Sequence, residues 1–110
     1  MAWLNDSSNC MYDIIMMYEW DDAKNTANIA AGRIGFEAID DFEWETAVIT
    51  PSRRHGEFRL AALGLIADRL YHVVYARRED RRRIISLRPA SGKERDRYVR
   101  ERARGSYSDG

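Results

Sequence analysis

Apolar residues occur along this chain in short runs separated by turn residues. Tyr12 to Trp20, Thr46 to Thr50, Phe58 to Ile66, Leu70 to Arg78 and Arg83 to Arg88 are rich in β-branched and aromatic residues and predict strands. After the first run, Asp21 is placed to cap a helix, with Asp22 in its first turn. Ala23, Ala27, Ala30 and Ala31 would form its apolar stripe and Gly32 its stop. Phe36, Ile39 and Phe42 recur every three residues, which predicts a second short helix. Pro51 should end the Thr46–Thr50 strand and Pro89 the last one, because proline has no N–H for a ladder. Ala67 and Asp68 supply a two-residue turn, so their flanking strands should pair as a hairpin, and Glu79 to Arg82 turn the chain again. Ser91 and Glu94 have capping-box spacing, so a helix should run from about Gly92 to Arg102. Its apolar anchors are only Tyr98, Val99 and Ala103, which predicts weak docking.

This order predicts an α+β domain: a small antiparallel sheet with N-terminal helices and a C-terminal helix, packed against one face of a meander. Residues 1–17 read as an extension and the start of the first strand, 18–104 as the domain, and 105–110 as a flexible tail.

Composition refines that picture. The chain has 110 residues, 45% hydrophobic and 33% charged, which suits one soluble domain and excludes a disordered chain. Its formal charge is zero, yet residues 1–45 carry ten Asp and Glu against Lys24 and Arg33, a balance of −8. Residues 46–110 carry sixteen cations against eight carboxylates, a balance of +8. Such a split points to a polyanionic partner, or to an acidic half that folds back on a basic one. Sixteen of the eighteen cations are Arg, whose planar fork fits phosphate or carboxylate. Cys10 is the only cysteine and His55 and His72 the only histidines, so neither a disulfide nor a cysteine metal cluster is expected. Residues 1–17 hold Asp6 and Asp13 and no basic residue, a poor secretory signal, and no apolar run reaches membrane-spanning length. A cytoplasmic protein without cofactor or metal is expected.

The richest chemistry lies in Arg83–Tyr98, RIISLRPASGKERDRY, where a strand passes straight into a helix amid five cations. Arg59, Arg83 and Arg88 should sit on neighbouring strands and are the candidate phosphate clamp. Regular alternation puts Arg83 on a face with Ile85 and Leu87, and Arg88 with Ile84 and Ser86. One groove then cannot take both from the strand body, although Arg88, at the strand end, can still reach it. His55 and Glu57, in an expected turn, are the candidate proton movers. His72 lies between apolar residues and reads as a core or face histidine. Arg77, Arg78, Lys93 and Arg95 extend the cationic surface as candidate contacts for a polyanion. Glu94 reads first as the carboxylate of the capping box. Trp20, Phe36, Phe42 and Trp44 could stack on bases, but their spacing favours core packing.

Four segments also resemble one family. YEWDDAKNTAN (Tyr18–Asn28) is similar to the aromatic-Glu-Trp-Asp-x-x-Lys-x-x-x-Asn opening of the BrnT toxins, with the matching spacing to Phe36. HGEFRLAALG (His55–Gly64), VVYARR (Val73–Arg78) and RIISLRPASGKERDRY resemble later strands of that family and its Arg-Ile-Ile-Ser-x-Arg signature. The resemblance covers about residues 18–98. It implies a RelE-like fold and a bacterial ribonuclease toxin of a type II toxin–antitoxin pair, inhibiting translation through metal-independent cleavage by the RNA 2′-OH. On this reading Arg59, Arg83, Arg88, His55 and Glu57 are catalytic, and Arg77, Arg78, Lys93 and Arg95 bind RNA. It further implies a BrnA-type ribbon-helix-helix antitoxin as partner, contact with operator DNA only through that antitoxin, and a toxin–antitoxin heterotetramer as a compatible assembly. Two departures stand out. Where the family carries Lys-His-Gly this chain has Ala31, Gly32 and Arg33, and Arg33 replaces a charge without a titrating imidazole. The stretch before Tyr18 is longer than the family pattern, so Met16 or Met17 lies nearer the expected start. The alternative is a catalytically degenerate toxin fold serving as a binding module in an antitoxin–DNA repressor complex.

Overall fold

The computed structural model describes residues 17–54, 57–78 and 80–109. In chain order they form β1 (Met17–Trp20), α1 (Asp22–Ala30), a 3₁₀ helix (Phe36–Asp41), β2 (Val48–Arg54), β3 (Glu57–Ile66), β4 (Arg69–Arg78), β5 (Arg81–Pro89) and α2 (Gly92–Asp109). The strands make one five-stranded sheet in the order β1-β5-β4-β3-β2. The expected strand residues 12–16 lie outside the described residues. β2 to β5 are an antiparallel meander, but β1 runs parallel to β5, with Trp20 opposite Ile84. The sheet is therefore mixed and not purely antiparallel.

Local chemistry explains most element ends. Asp21 accepts from the Ala23 and Lys24 amides at 2.9 and 3.3 Å and caps α1. Gly32, at φ +85°, takes the left-handed conformation that ends the helix. Ala67 and Asp68 have φ of 50° and 68°, the two left-handed residues of a tight hairpin turn. The Ser91–Glu94 box is formed: the Ser91 amide donates to Glu94 Oε1 at 2.8 Å, and the Glu94 amide to Ser91 Oγ at 3.3 Å.

Four expectations need correction. β2 continues through Pro51, which pairs with Leu60, because β2 is an edge strand and tolerates a missing N–H. The alanines of α1 are exposed, and its buried residue is Asn25. Asn25 Oδ1 accepts from the Phe36 amide at 2.8 Å, and its Nδ2 donates to both Glu37 oxygens at 3.1 Å. A polar latch thus holds α1 to the 3₁₀ helix, where an alanine stripe was expected. The helices also do not share one face. Phe36, Ile39 and Phe42 pack on Ala62, Tyr71, Val73, Tyr75, Ile84 and Leu87, while α2 opens on the other side, where Glu94 meets His72 and Arg88. α2 also continues past Arg102.

Phe36 and Phe42 belong to the core, and Trp20 and Trp44 pack against it. Trp44 lies edge-on to Phe42 and Tyr75, with centroids 4.6 and 5.2 Å away, and its Nε1 donates to Tyr18 Oη at 2.6 Å. Trp20 meets Phe36 edge-on at 6.1 Å. Gly64 makes room for this packing, since a Cβ there would lie 2.4 Å from the Phe42 ring.

Candidate functional site

On the sheet face opposite the core lies a groove of about 420 Å³ lined by Lys24, Ser52, Arg59, His72, Val74, Ile85, Ser86, Arg88 and Glu94. Strand pairing sets its floor. Ser52 is opposite Arg59, Val74 opposite Ser86, and His72 opposite Arg88. Tyr71, Val73 and Tyr75 alternate into the core, so His72 and Val74 face outward.

A bulge in β5 decides which arginines share this face. Tyr75 pairs with Ile84 but Val74 pairs with Ser86, so Ile85 is an extra residue in the ladder. The insertion reverses alternation beyond it. Arg83, opposite Ala76, and Arg88, opposite His72, therefore lie on one face, contrary to the alternation expected from the sequence. The Ile85 carbonyl accepts from Lys24 Nζ, which draws the α1 lysine to the groove. Arg83 lines an adjoining depression of about 170 Å³ with Asp21, Lys24, Ile84 and Ile85.

Arg83 and Arg88 engage carboxylates. Arg88 Nη1 and Nη2 donate to Glu94 Oε1 and Oε2 at 2.9 and 2.8 Å, and Nη1 also donates to the Pro89 carbonyl at 3.2 Å. His72 Nε2 stands 3.7 Å from Glu94 Oε2. Arg83 and Arg81 each donate to Glu19 at 3.3 Å. The acidic N-terminal segment thus neutralises part of the basic half.

These contacts move the acids. The Arg88 hydrogen bond pulls the Glu94 carboxyl down to about 2 against the opposing effect of burial, helped by the Ser91 amide. Arg88 is raised by the same pair. Burial works against ionisation of Glu19, but the hydrogen bonds and charges of Arg83 and Arg81 together outweigh it and lower its pKa. A carboxyl lowered in the fold stabilises the protein above its usual pKa and loses that contribution as pH falls through the folded value. Glu94 therefore stabilises the fold fully above pH 4.5 and progressively less towards about 2. The contribution is on the order of 2 kcal/mol, after discounting for the solvent-exposed partner. Denaturant midpoints should fall through that window, and Glu94→Gln should flatten this part of the curve.

The remaining candidates are dispersed. His55 lies outside the described residues, and Glu57 is described only as the first residue of β3. Arg77 and Arg78 are exposed at the far end of β4. Alternation puts Arg78 on the groove face and Arg77 on the other, opposite Arg82. Arg82 lies 3.9 Å over the Trp44 ring, away from the groove. Lys93 is exposed at the start of α2, and Arg95 Nη1 donates to the Ala90 carbonyl at 3.4 Å. His72 and Lys24 are the groove residues that sequence reasoning set aside. Lys24 was visible as the lysine of the Tyr18–Asn28 motif, whereas nothing local marks His72. Among the described residues no group of three or more His, Cys, Asp or Glu is placed to hold a metal ion, and no helix is long and apolar enough to cross a membrane.

The groove gathers Lys, Arg and His side chains on the open sheet face of a small α+β domain, a concentration of positive charge suited to an anion. The pattern of the family described as "Ribonuclease toxin, BrnT, of type II toxin-antitoxin system" matches residues 20–94, and the chain belongs to that family. Membership places it among ribonuclease toxins of toxin–antitoxin systems, implying RNA as substrate and an antitoxin as partner. Comparisons with curated proteins and with solved structures gave no match.

Proposed function

We propose that this chain is an endoribonuclease toxin that cleaves RNA by attack of a 2′-OH on the adjacent phosphorus. The P–O5′ bond breaks as the new P–O2′ bond forms, leaving a 2′,3′-cyclic phosphate and a 5′-OH. The observation that carries this reading is the convergence of Lys24, Arg59, His72 and Arg88 in one groove. Such a reaction needs strand positioning, charge stabilisation on phosphate oxygens and proton movement, all of which side chains can provide. His72 has the only imidazole lining the groove among the described residues, and we assign it the proton transfer. Arg59 and Arg88 are assigned to the phosphate oxygens. Lys24, held by the Ile85 carbonyl, adds positive charge at the edge nearest Arg83.

The alternative is a degenerate toxin fold that only binds its partner, favoured by Ala31-Gly32-Arg33 in place of Lys-His-Gly. None of these three residues lines the groove, so their substitution leaves its histidine and cations in place. We infer a BrnA-type ribbon-helix-helix antitoxin, operator contact through that antitoxin alone, and a RelE-like architecture. Inducible expression with and without the antitoxin, with RNA ends mapped during induction, tests the proposal. Growth arrest with fragments ending in cyclic phosphate is expected without the antitoxin. Harmless expression with intact RNA would establish the binding-module reading instead.

A further inference from the structure

The groove contains one group whose charge is wrong for its assigned ligand. Among the described residues Glu94 is the only carboxylate lining it; it contacts Arg88 and His72 and shares the lining with Arg59 and Lys24. It does not lie at the rim as a loose counter-ion. Both its oxygens take the two terminal nitrogens of Arg88, the geometry in which a guanidinium grips two oxygens of a phosphate. The second of these oxygens is also the one nearest His72. A nucleic-acid phosphate at Arg88 and this carboxylate therefore compete for the same donors.

We propose that Glu94 is an internal occupant of the phosphate seat, which an RNA strand must displace to reach Arg88 and His72. The proposal rests on the RNA-cleaving reading above and specifies its substrate class. A single phosphate offers Arg88 no more than Glu94 already offers, so mononucleotides exchange poorly. A strand with successive phosphates also engages Arg59, Lys24 and the exposed Lys93, and so displaces the carboxylate by multivalency. The seat thus selects oligonucleotides over monomers. Exchange need not unwind α2, because the Ser91 amide and hydroxyl still complete the capping box after Arg88 is released.

Glu94→Gln separates the charge from the cap, since glutamine serves equally at that position of a capping box. Binding of a short, non-cleavable 2′-O-methyl oligouridylate and of uridine 3′-monophosphate is measured for both proteins. The variant should bind the oligonucleotide about tenfold more tightly, as removal of one opposing charge predicts. It should also bind the monophosphate measurably where the unaltered protein does not. Equal oligonucleotide affinities in the two proteins would overturn the proposal while leaving the RNA reading standing. Absence of binding by either protein would remove both. In the unaltered protein, saturating oligonucleotide should shift the His72 ring resonances and the Arg88 side-chain N–H, and unmoved signals would also overturn the proposal without recourse to any variant.

Discussion

His72→Gln should slow RNA cleavage about 10²- to 10³-fold, the range typical for loss of a positioned acid or base. RNA affinity should change far less, because the arginines and Lys24 remain. His72 stands on β4, one of the central strands, opposite Arg88, with its side chain 16% exposed and its Nε2 towards the Glu94 carboxylate. It is thus placed rigidly beside the phosphate seat but stays open to it. Glutamine preserves the approximate size and polarity, so the sheet should survive. The pH–rate profile gives the sharper check: the limb that reports proton transfer by His72 should vanish in the variant. A variant that cleaves at the unaltered rate with the same limb would move the proton transfer to another residue.

Arg88→Ala should cost more than the loss of one phosphate contact. It removes a guanidinium and the strongest of the contacts that lower the Glu94 pKa, and leaves Glu94 Oε2 without its hydrogen-bond donor. Cleavage should fall about 10²- to 10³-fold through the lost charge stabilisation. Stability should fall by about 1–3 kcal/mol through the orphaned acceptor. Adding Glu94→Gln to Arg88→Ala should recover most of that stability, because the two residues act as a coupled pair. Arg83→Ala is the control. Arg83 shares the face but lies in the adjoining depression, paired with Glu19, and its loss should slow cleavage only a few-fold. Single-turnover rates and denaturant melts of these variants distinguish the two positions. Equal losses for Arg83 and Arg88 would place the reacting phosphate between them and away from His72.

Much of the fold was legible locally. The Asp21 cap, the Gly32 stop, the Ala67–Asp68 turn and the Ser91–Glu94 box each depend on a few consecutive residues, and each is formed. The three-residue recurrence of Phe36, Ile39 and Phe42 marked the helix that seals the core, and its 3₁₀ winding matches that period. The alanines of α1 misled because small residues need not be buried, whereas Asn25 gains two hydrogen-bonded partners only after the chain has turned back. The helices fell on opposite faces because α2 leaves the sheet beside Arg88 on the groove side, while the 3₁₀ helix covers the apolar side.

The sequence by itself determined which strands and caps form, the arginine-rich strand-to-helix junction and the family. Tertiary structure alone decided which side chains meet. One unpaired residue, Ile85, inverts the alternation of β5, moves Arg83 and Arg88 to a common face and offers its carbonyl to Lys24. That bulge is a property of how β5 registers with β4, and pairing across strands is not encoded in the period of either strand alone. The placement of His72 is decided the same way, since it borders a groove only because Arg59, Arg88 and Glu94 arrive from other elements.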